Sequence, residues 1–194
     1  RGGWGSVAGG VTKAGRVKRV ALARASRVGG GGEWVDLYGD GRAPASSRAA
    51  LRRIGHVLID LGPNEAPLPP DAAIAKNAQF VWLSDFLSPL DEIEITLRRL
   101  SRFAVAGELV HIIDPAEEDF PFTGRTRFED ARGREGETIG RAESISGAYR
   151  QRFKAHAEAL GALARRLGWS CIAHRTDRSP QTALTALYAD MSGA

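Results

Sequence analysis

The sequence predicts an α/β fold: a three-layer, doubly wound, mostly parallel sheet with helices on both faces. Three observations carry this. From residue 78 onward, short apolar runs alternate with longer amphipathic segments, the pattern that strands and crossover helices produce. The run at 78–86 is continuously apolar, as a strand covered on both faces is, and 108–115 reads as the next buried strand. Two helical segments open on Ser-Pro, at Ser88-Pro89 and Ser179-Pro180, which is a helix-start signal.

Taken in order, residues 1–32 are rich in Gly and Arg and read as a flexible N-terminal segment. Within it, 16–25 ("RVKRVALARA") has the β-branched content of a strand. The folded domain is expected over 33–194. It opens with "EWVDLYGDG" (33–41), which alternates like an edge strand. A helix follows over 45–61, with Leu51, Ile54, Leu58 and Leu61 at helical spacing, and "GPNEAPLPPD" (62–71) is a Pro-rich linker. The strand at 78–86 leads into a helix over 88–107, with Ser88 as cap, Pro89 first, an inward stripe of Leu90, Ile93, Leu97 and Leu100, and Gly107 as its stop. After the strand at 108–115, "TGRTRFED" and "GETIGRAE" flank "ARGRE" as a small β-hairpin insertion. A long helix over 147–168, a strand over 169–176 and a helix over 179–191 complete the chain.

Composition narrows the function classes. At 43% hydrophobic, the 194 residues can bury a core of their own. No run approaches the ~18 apolar residues of a membrane span. The single cysteine, Cys171, cannot form an internal disulfide or a Cys-based zinc site, and it fits a reducing, cytoplasmic compartment. Residues 1–53 hold 11 Lys/Arg against 3 Asp/Glu, a net of +8, whereas 54–194 carry a net of −4. A basic N-terminal part raises anionic-polymer binding as an alternative function. No aromatic residues interleave with those charges as a stacking platform requires, so nucleic acid is not the expected partner.

In parallel sheets, ligands sit at the C-terminal strand ends. Those ends carry Ser84-Asp85, Asp114 and Thr176-Asp177. Carboxylates there suit Mg²⁺, which takes oxygen ligands, if Asp85, Asp114 and Asp177 converge; Asp also ends strands and caps helices for purely structural reasons. A hydrolase could be assembled from Ser84 or Ser88, His111 or His174, and Asp114 or Asp177. No G-x-S-x-G elbow and no G-x-x-x-x-G-K-[ST] phosphate loop is present. His56 and His156, on presumed helices, read as solvated.

The segments "SDFLSPLDEIE", "DPAEEDFPFTGRTRFED", "GRAESISGAYRQRFKAHAEALGALARRLGW" and "HRTDRSPQTALTALY" resemble the C-terminal half of a bacterial family known as domain of unknown function fifty-eight. The resemblance covers about residues 79–190 and rests on the joint order of D-P-A-E, P-F-T-G-R, A-Y-R, R-R-L-G-W and H-R-T-D. It implies a von Willebrand factor A-like domain used for protein–protein contact, working beside a MoxR-type AAA ATPase in assembly or chaperone-like roles. It also implies a metal-ion-dependent adhesion site, built on a D-x-S-x-S segment with a later Thr and Asp. Asp85 falls where the later Asp would stand, but no D-x-S-x-S occurs here; Asp36, Asp40, Asp60 and Asp71 all fail it. The only Met is Met191, and the domain reads as N-terminally incomplete. The expectation is therefore a non-enzymatic protein-interaction module. Its binding residues are Ser84, Asp85, Ser88 and Asp114, with Asp85 one leg of an incomplete metal site. No cofactor is expected in this chain, and Mg²⁺ is expected only in a complete family member. A sheet left short of a central strand exposes an edge, and the expectation is that the chain forms a homodimer through it, repairs it with its N-terminal segment, or aggregates.

Overall fold

The computed structural model describes residues 7–8, 11–13, 16–21, 34–46, 48–60, 68–75, 78–128 and 137–191. A small antiparallel pair, β1 (Val7–Ala8) and β2 (Val11–Thr12), comes first, followed by a helical stretch over 16–21, α1. Helix α2 (Arg48–Asp60) precedes the main sheet. The sheet is three-stranded and parallel, in the order β3 (Ala78–Ser84), β4 (Ala104–Ile113), β7 (Trp169–Arg175). Between its strands lie α3 (Leu90–Ser101), the short α4 (Pro115–Asp119), the hairpin β5 (Thr126–Phe128) and β6 (Glu137–Ile139), and α5 (Ser146–Arg166). Helix α6 (Pro180–Met191) closes the order. The architecture is thus mixed α/β with a parallel sheet, as the alternating pattern predicts, and the expected hairpin forms by antiparallel pairing of β5 and β6.

The two crossovers step across the sheet in one direction, β3 to β4 to β7. Crossovers of one hand must then lie on the same face, and they do. Ile93, Leu97 and Leu100 of α3 and Leu160, Leu163 and Ala164 of α5 pack together on Phe80, Trp82, Leu109 and Trp169. The opposite face buries Val110 and Ile112 against Val20 of α1 and Ala183 and Leu187 of α6. Period-2 alternation along each strand feeds both layers, which is why β3 and β4 read as unbroken apolar runs.

The structure departs from the sequence reading at several places. Residues 16–21 are helical rather than a strand, and they lie in the segment read as flexible; Val20 is fully buried and Val17 packs beside it. Burial of one valine face overrides the β preference of β-branched residues. Residues 34–46 form no strand beyond one bridge, Val35 to Ala45, because positive φ at Gly39 and Gly41 turns the chain. Most of the 62–71 linker lies outside the described residues, as does the side chain of Tyr188. Ser88 does not cap α3: Pro89 occupies the cap position with extended ψ, no side chain bonds the helix end, and Leu90 is the first helical residue.

Helix α3 ends at Ser101, and Gly107 sits inside β4 instead of stopping a helix. Its role is close approach. The Trp169 ring lies across its Cα, so that a Cβ there would come within 2.1–2.2 Å of three indole carbons. The indole Nε1–H donates to Ser101 Oγ at 2.8 Å, which fixes the ring over the strand. Gly107→Ala should therefore destabilise the fold by about 1–3 kcal/mol or more through overpacking, read from urea unfolding. The Gly107→Ala, Trp169→Leu double variant should recover part of that loss. A neutral Gly107→Ala would contradict the packing described.

Candidate functional site

At the C-terminal end of β3 the chain passes through Ser84, Asp85 and Phe86. Phe86 adopts φ 48°, an uncommon conformation for a bulky residue that is costly unless its surroundings hold it. They do: the Phe86 ring is 2% exposed and packs edge-on against Trp82 and His111. Its N–H donates to Ser84 Oγ at 3.3 Å, and its carbonyl accepts from His156 Nε2 at 2.6 Å. Since a carbonyl only accepts, the proton sits on Nε2 of His156. His156 is thus a half-buried anchor from α5 rather than the solvated residue its helical position implies; His56 is exposed as expected.

The strained turn aims the Asp85 carboxylate at Lys13. The Lys13 ammonium, 1% exposed, lies 3.2 Å from Asp85 Oδ2 and 2.6 Å from Glu117 Oε1. Glu117 is carried there by β4 and α4. Asp114 ends the strand and caps α4, accepting the Ala116 N–H at 2.8 Å, and Pro115 takes the first helical position. Burial pushes the Glu117 carboxyl above its ordinary value, and the pull of Lys13 only partly offsets this. His111, opposite Ser84 in the sheet register, is held well below its ordinary value at about 4, by burial first and then by the charge of His156. Tyr149 of α5 is pushed up to about 12, by burial and by the Glu117 charge.

The predicted site residues are therefore only partly assembled. Ser84 is buried and engaged with the backbone; Ser88 is half-buried at the approach to α3; Asp114 is fully buried as a cap. Asp177 turns outward to Arg175 at 3.1 Å, and that hydrogen bond lowers its pKa. Asp85, Asp114 and Asp177 do not converge, because each strand-end carboxylate has a separate structural partner. Among the described residues no group of three or more His, Cys, Asp or Glu is placed to hold a metal ion. An ammonium stands against the one candidate ligand, Asp85, so the arrangement does not fit Mg²⁺, which needs several oxygens around it. Sequence reasoning missed Lys13, Glu117 and His156. The lysine of "GGVTKAG" sits in a glycine-rich stretch with no periodicity, and its partners lie 72 and 104 residues away.

Chemically, this end of the sheet is an ion-paired cluster beside a neutral imidazole. Removing the cation leaves the buried Glu117 and the partly buried Asp85 without their shared counter-charge. Lys13→Met should cost about 3–5 kcal/mol in urea unfolding at neutral pH; a loss below ~1 kcal/mol would mean that the ion pairs are not formed in solution. His111 adds an acid limb. Its folded pKa is depressed, so its contribution is complete above the ordinary value of 6.5 and is lost as pH falls toward about 4. At about 1.4 kcal/mol per unit this is on the order of 3 kcal/mol. His111→Phe should flatten the stability profile between those two pH values, and an unchanged acid limb would assign the loss to other groups.

Compared with protein-family models, with curated proteins and with solved structures, the chain matches none of them.

Proposed function

We propose that the chain is a non-enzymatic protein-interaction module of the von Willebrand factor A-like type, with the C-terminal end of β3 as its docking end. The observation that carries this reading is the rim beside the ion cluster. Leu87, 49% exposed, follows directly on the buried Phe86, and the Asp85 side chain beneath it remains 14% exposed. An exposed apolar side chain next to a reachable carboxylate suits a partner that brings an apolar residue flanked by a basic one. Phe86 holds this rim rigid, and rigid presentation limits the ordering cost of association. The resemblance in sequence makes a MoxR-type AAA ATPase the expected partner.

The rival Ser-dependent hydrolase fits less well. Ser84 is buried and its Oγ accepts the Phe86 amide, and His111 packs between Phe86 and Phe153, an arrangement that speaks against Ser84 as the nucleophile; Ser88, half-buried, is the other candidate. A second reading, binding of an anionic polymer, draws on a groove along α2 lined by Arg42, Arg52, Arg53 and His56. Arg53 there is shared with Asp36 at 3.4 Å, so Arg42 and Arg52 would carry the contact.

Calorimetric titration of the chain with a MoxR-type AAA ATPase tests the first reading. Leu87→Asp should weaken binding at least ~10-fold, the loss of one interface anchor, without lowering the melting temperature. No binding, or binding indifferent to Leu87→Asp, removes the docking assignment. Esterase or phosphatase activity abolished by Ser84→Ala or Ser88→Ala would overturn the non-enzymatic reading. DNA retention that falls with salt and disappears in the Arg42→Ala, Arg52→Ala variant would establish the second.

A further inference from the structure

Asp85 and Glu117 are each held in place by contacts that do not involve the lysine between them. Asp85 is fixed within its own turn. The Leu87 N–H donates to its Oδ1 at 3.4 Å, and the Phe86 backbone that aims it is held by ring packing and by His156. Glu117 is fixed by the capped start of α4, where its backbone N–H donates to the Asp114 carbonyl at 2.9 Å. The cation comes from elsewhere. Lys13 follows directly on β2, and among the described residues β2 pairs only with the two-residue β1. The acceptors thus belong to the end of the main sheet, and the donor belongs to a segment outside that sheet.

The arrangement suits an ammonium. One nitrogen meets oxygens from two separate elements, at 2.6 and 3.2 Å. A compact point charge with three rotatable donors satisfies both, whereas a planar guanidinium fork matches the two oxygens of a single carboxylate. One cation against two carboxylates leaves the place short of positive charge. Solvent reaches it from the Asp85 side, where that side chain is 14% exposed. The Leu87 amide bond to Asp85 ties the cation site to the exposed apolar rim.

We propose that Asp85 and Glu117 form a recognition site for a primary ammonium on an alkyl chain, the side chain of a lysine in a partner segment, and that Lys13 is its resident occupant in the free chain. The proposal rests on the docking reading at Leu87 and specifies the basic residue of that partner as a lysine beside an apolar residue. The exchange is like for like. The partner's ammonium replaces that of Lys13 against the same two carboxylates, so neither loses its counter-charge. A tethered lysine competes at high effective concentration, so a free alkylammonium does not displace it. The apolar contact at Leu87 supplies the difference in free energy that favours the partner.

The full chain with Lys13→Ala tests this, because the substitution removes Cγ, Cδ, Cε and Nζ, the heavy atoms of n-propylammonium. At constant ionic strength, n-propylammonium should bind the variant saturably in isothermal titration and raise its melting temperature. Tetramethylammonium should do neither, and the unsubstituted chain should respond to neither ion. If Lys13→Ala does not fold in buffer, refolding with n-propylammonium but not with tetramethylammonium is the expected result. A short peptide with adjacent leucine and lysine should bind Lys13→Ala at least ~10-fold tighter than the same peptide with norleucine in place of lysine. It should bind the unsubstituted chain more weakly than the variant, since Lys13 competes there. Leu87→Ala should weaken the peptide and leave n-propylammonium unaffected. No effect of n-propylammonium beyond that of tetramethylammonium, or peptide binding indifferent to the norleucine replacement, overturns the proposal. If a MoxR-type ATPase does not bind while n-propylammonium and the peptide do, that partner is lost and the lysine site stands.

Discussion

The Lys13 ammonium is the constraint to which the C-terminal end of the sheet is built. A charge taken out of water needs opposite charge and hydrogen bonds within reach. Here they come from two elements that are otherwise separate, the Asp85 turn after β3 and Glu117 in α4 after β4. One ammonium against two carboxylates leaves negative charge in excess, and the raised Glu117 pKa records that burial outweighs pairing. The neighbouring His111 cannot supply the missing positive charge, since the same burial keeps it neutral. The placement of Lys13, the strained Phe86 turn and the entry to α4 thus answer to one electrostatic balance.

The two faces of the sheet solve different packing problems. Both crossovers fall on one face, so α3 and α5 share it with a mainly aromatic layer of Phe80, Trp82, Phe86 and Trp169. There the strand backbone is approached closely enough to require a glycine, at Gly107 beneath Trp169. The other face is thinner and aliphatic, filled by Val20, Val110, Ile112, Ala183 and Leu187. Toward the C-terminal ends both layers turn polar, with Ser84 and His111 on the aromatic face and His174 and Thr176 on the aliphatic one.

What was legible in the sequence is what local pattern encodes. Continuous apolar runs gave β3 and β4 their buried character, and the Ile93, Leu97, Leu100 stripe gave the inner face of α3. The start of β4 was missed because a glycine signals a helix stop as readily as a close approach, and only the partner, Trp169, tells the two apart. Residues 16–21 were misread because their valines are equally suited to a strand; the surface they bury belongs to residues far along the chain. Asp85 was found from its place at a strand end. Lys13, which decides what Asp85 does, was not, since no local rule connects a lysine among glycines to acids so distant in sequence. The α/β class and the place of Asp85 at a strand end were therefore open to sequence reasoning, whereas Leu87 and the pairing that gives Asp85 its chemistry were not.

The reach of Lys13 also sets an order in time. Its contact with Asp85 closes a loop of 72 residues and its contact with Glu117 one of 104, whereas adjacent strands are joined by a single crossover each. Longer loops cost more entropy to close, and non-local contacts slow assembly. The sheet and its crossovers can form before the lysine arrives, and the lysine has no site until β3 and β4 are in register. Run in reverse, the segment that carries Lys13 is the natural place for the protein to open. Its release would bare both carboxylates while β3, β4 and β7 stay paired, making the lysine a latch on an otherwise finished sheet.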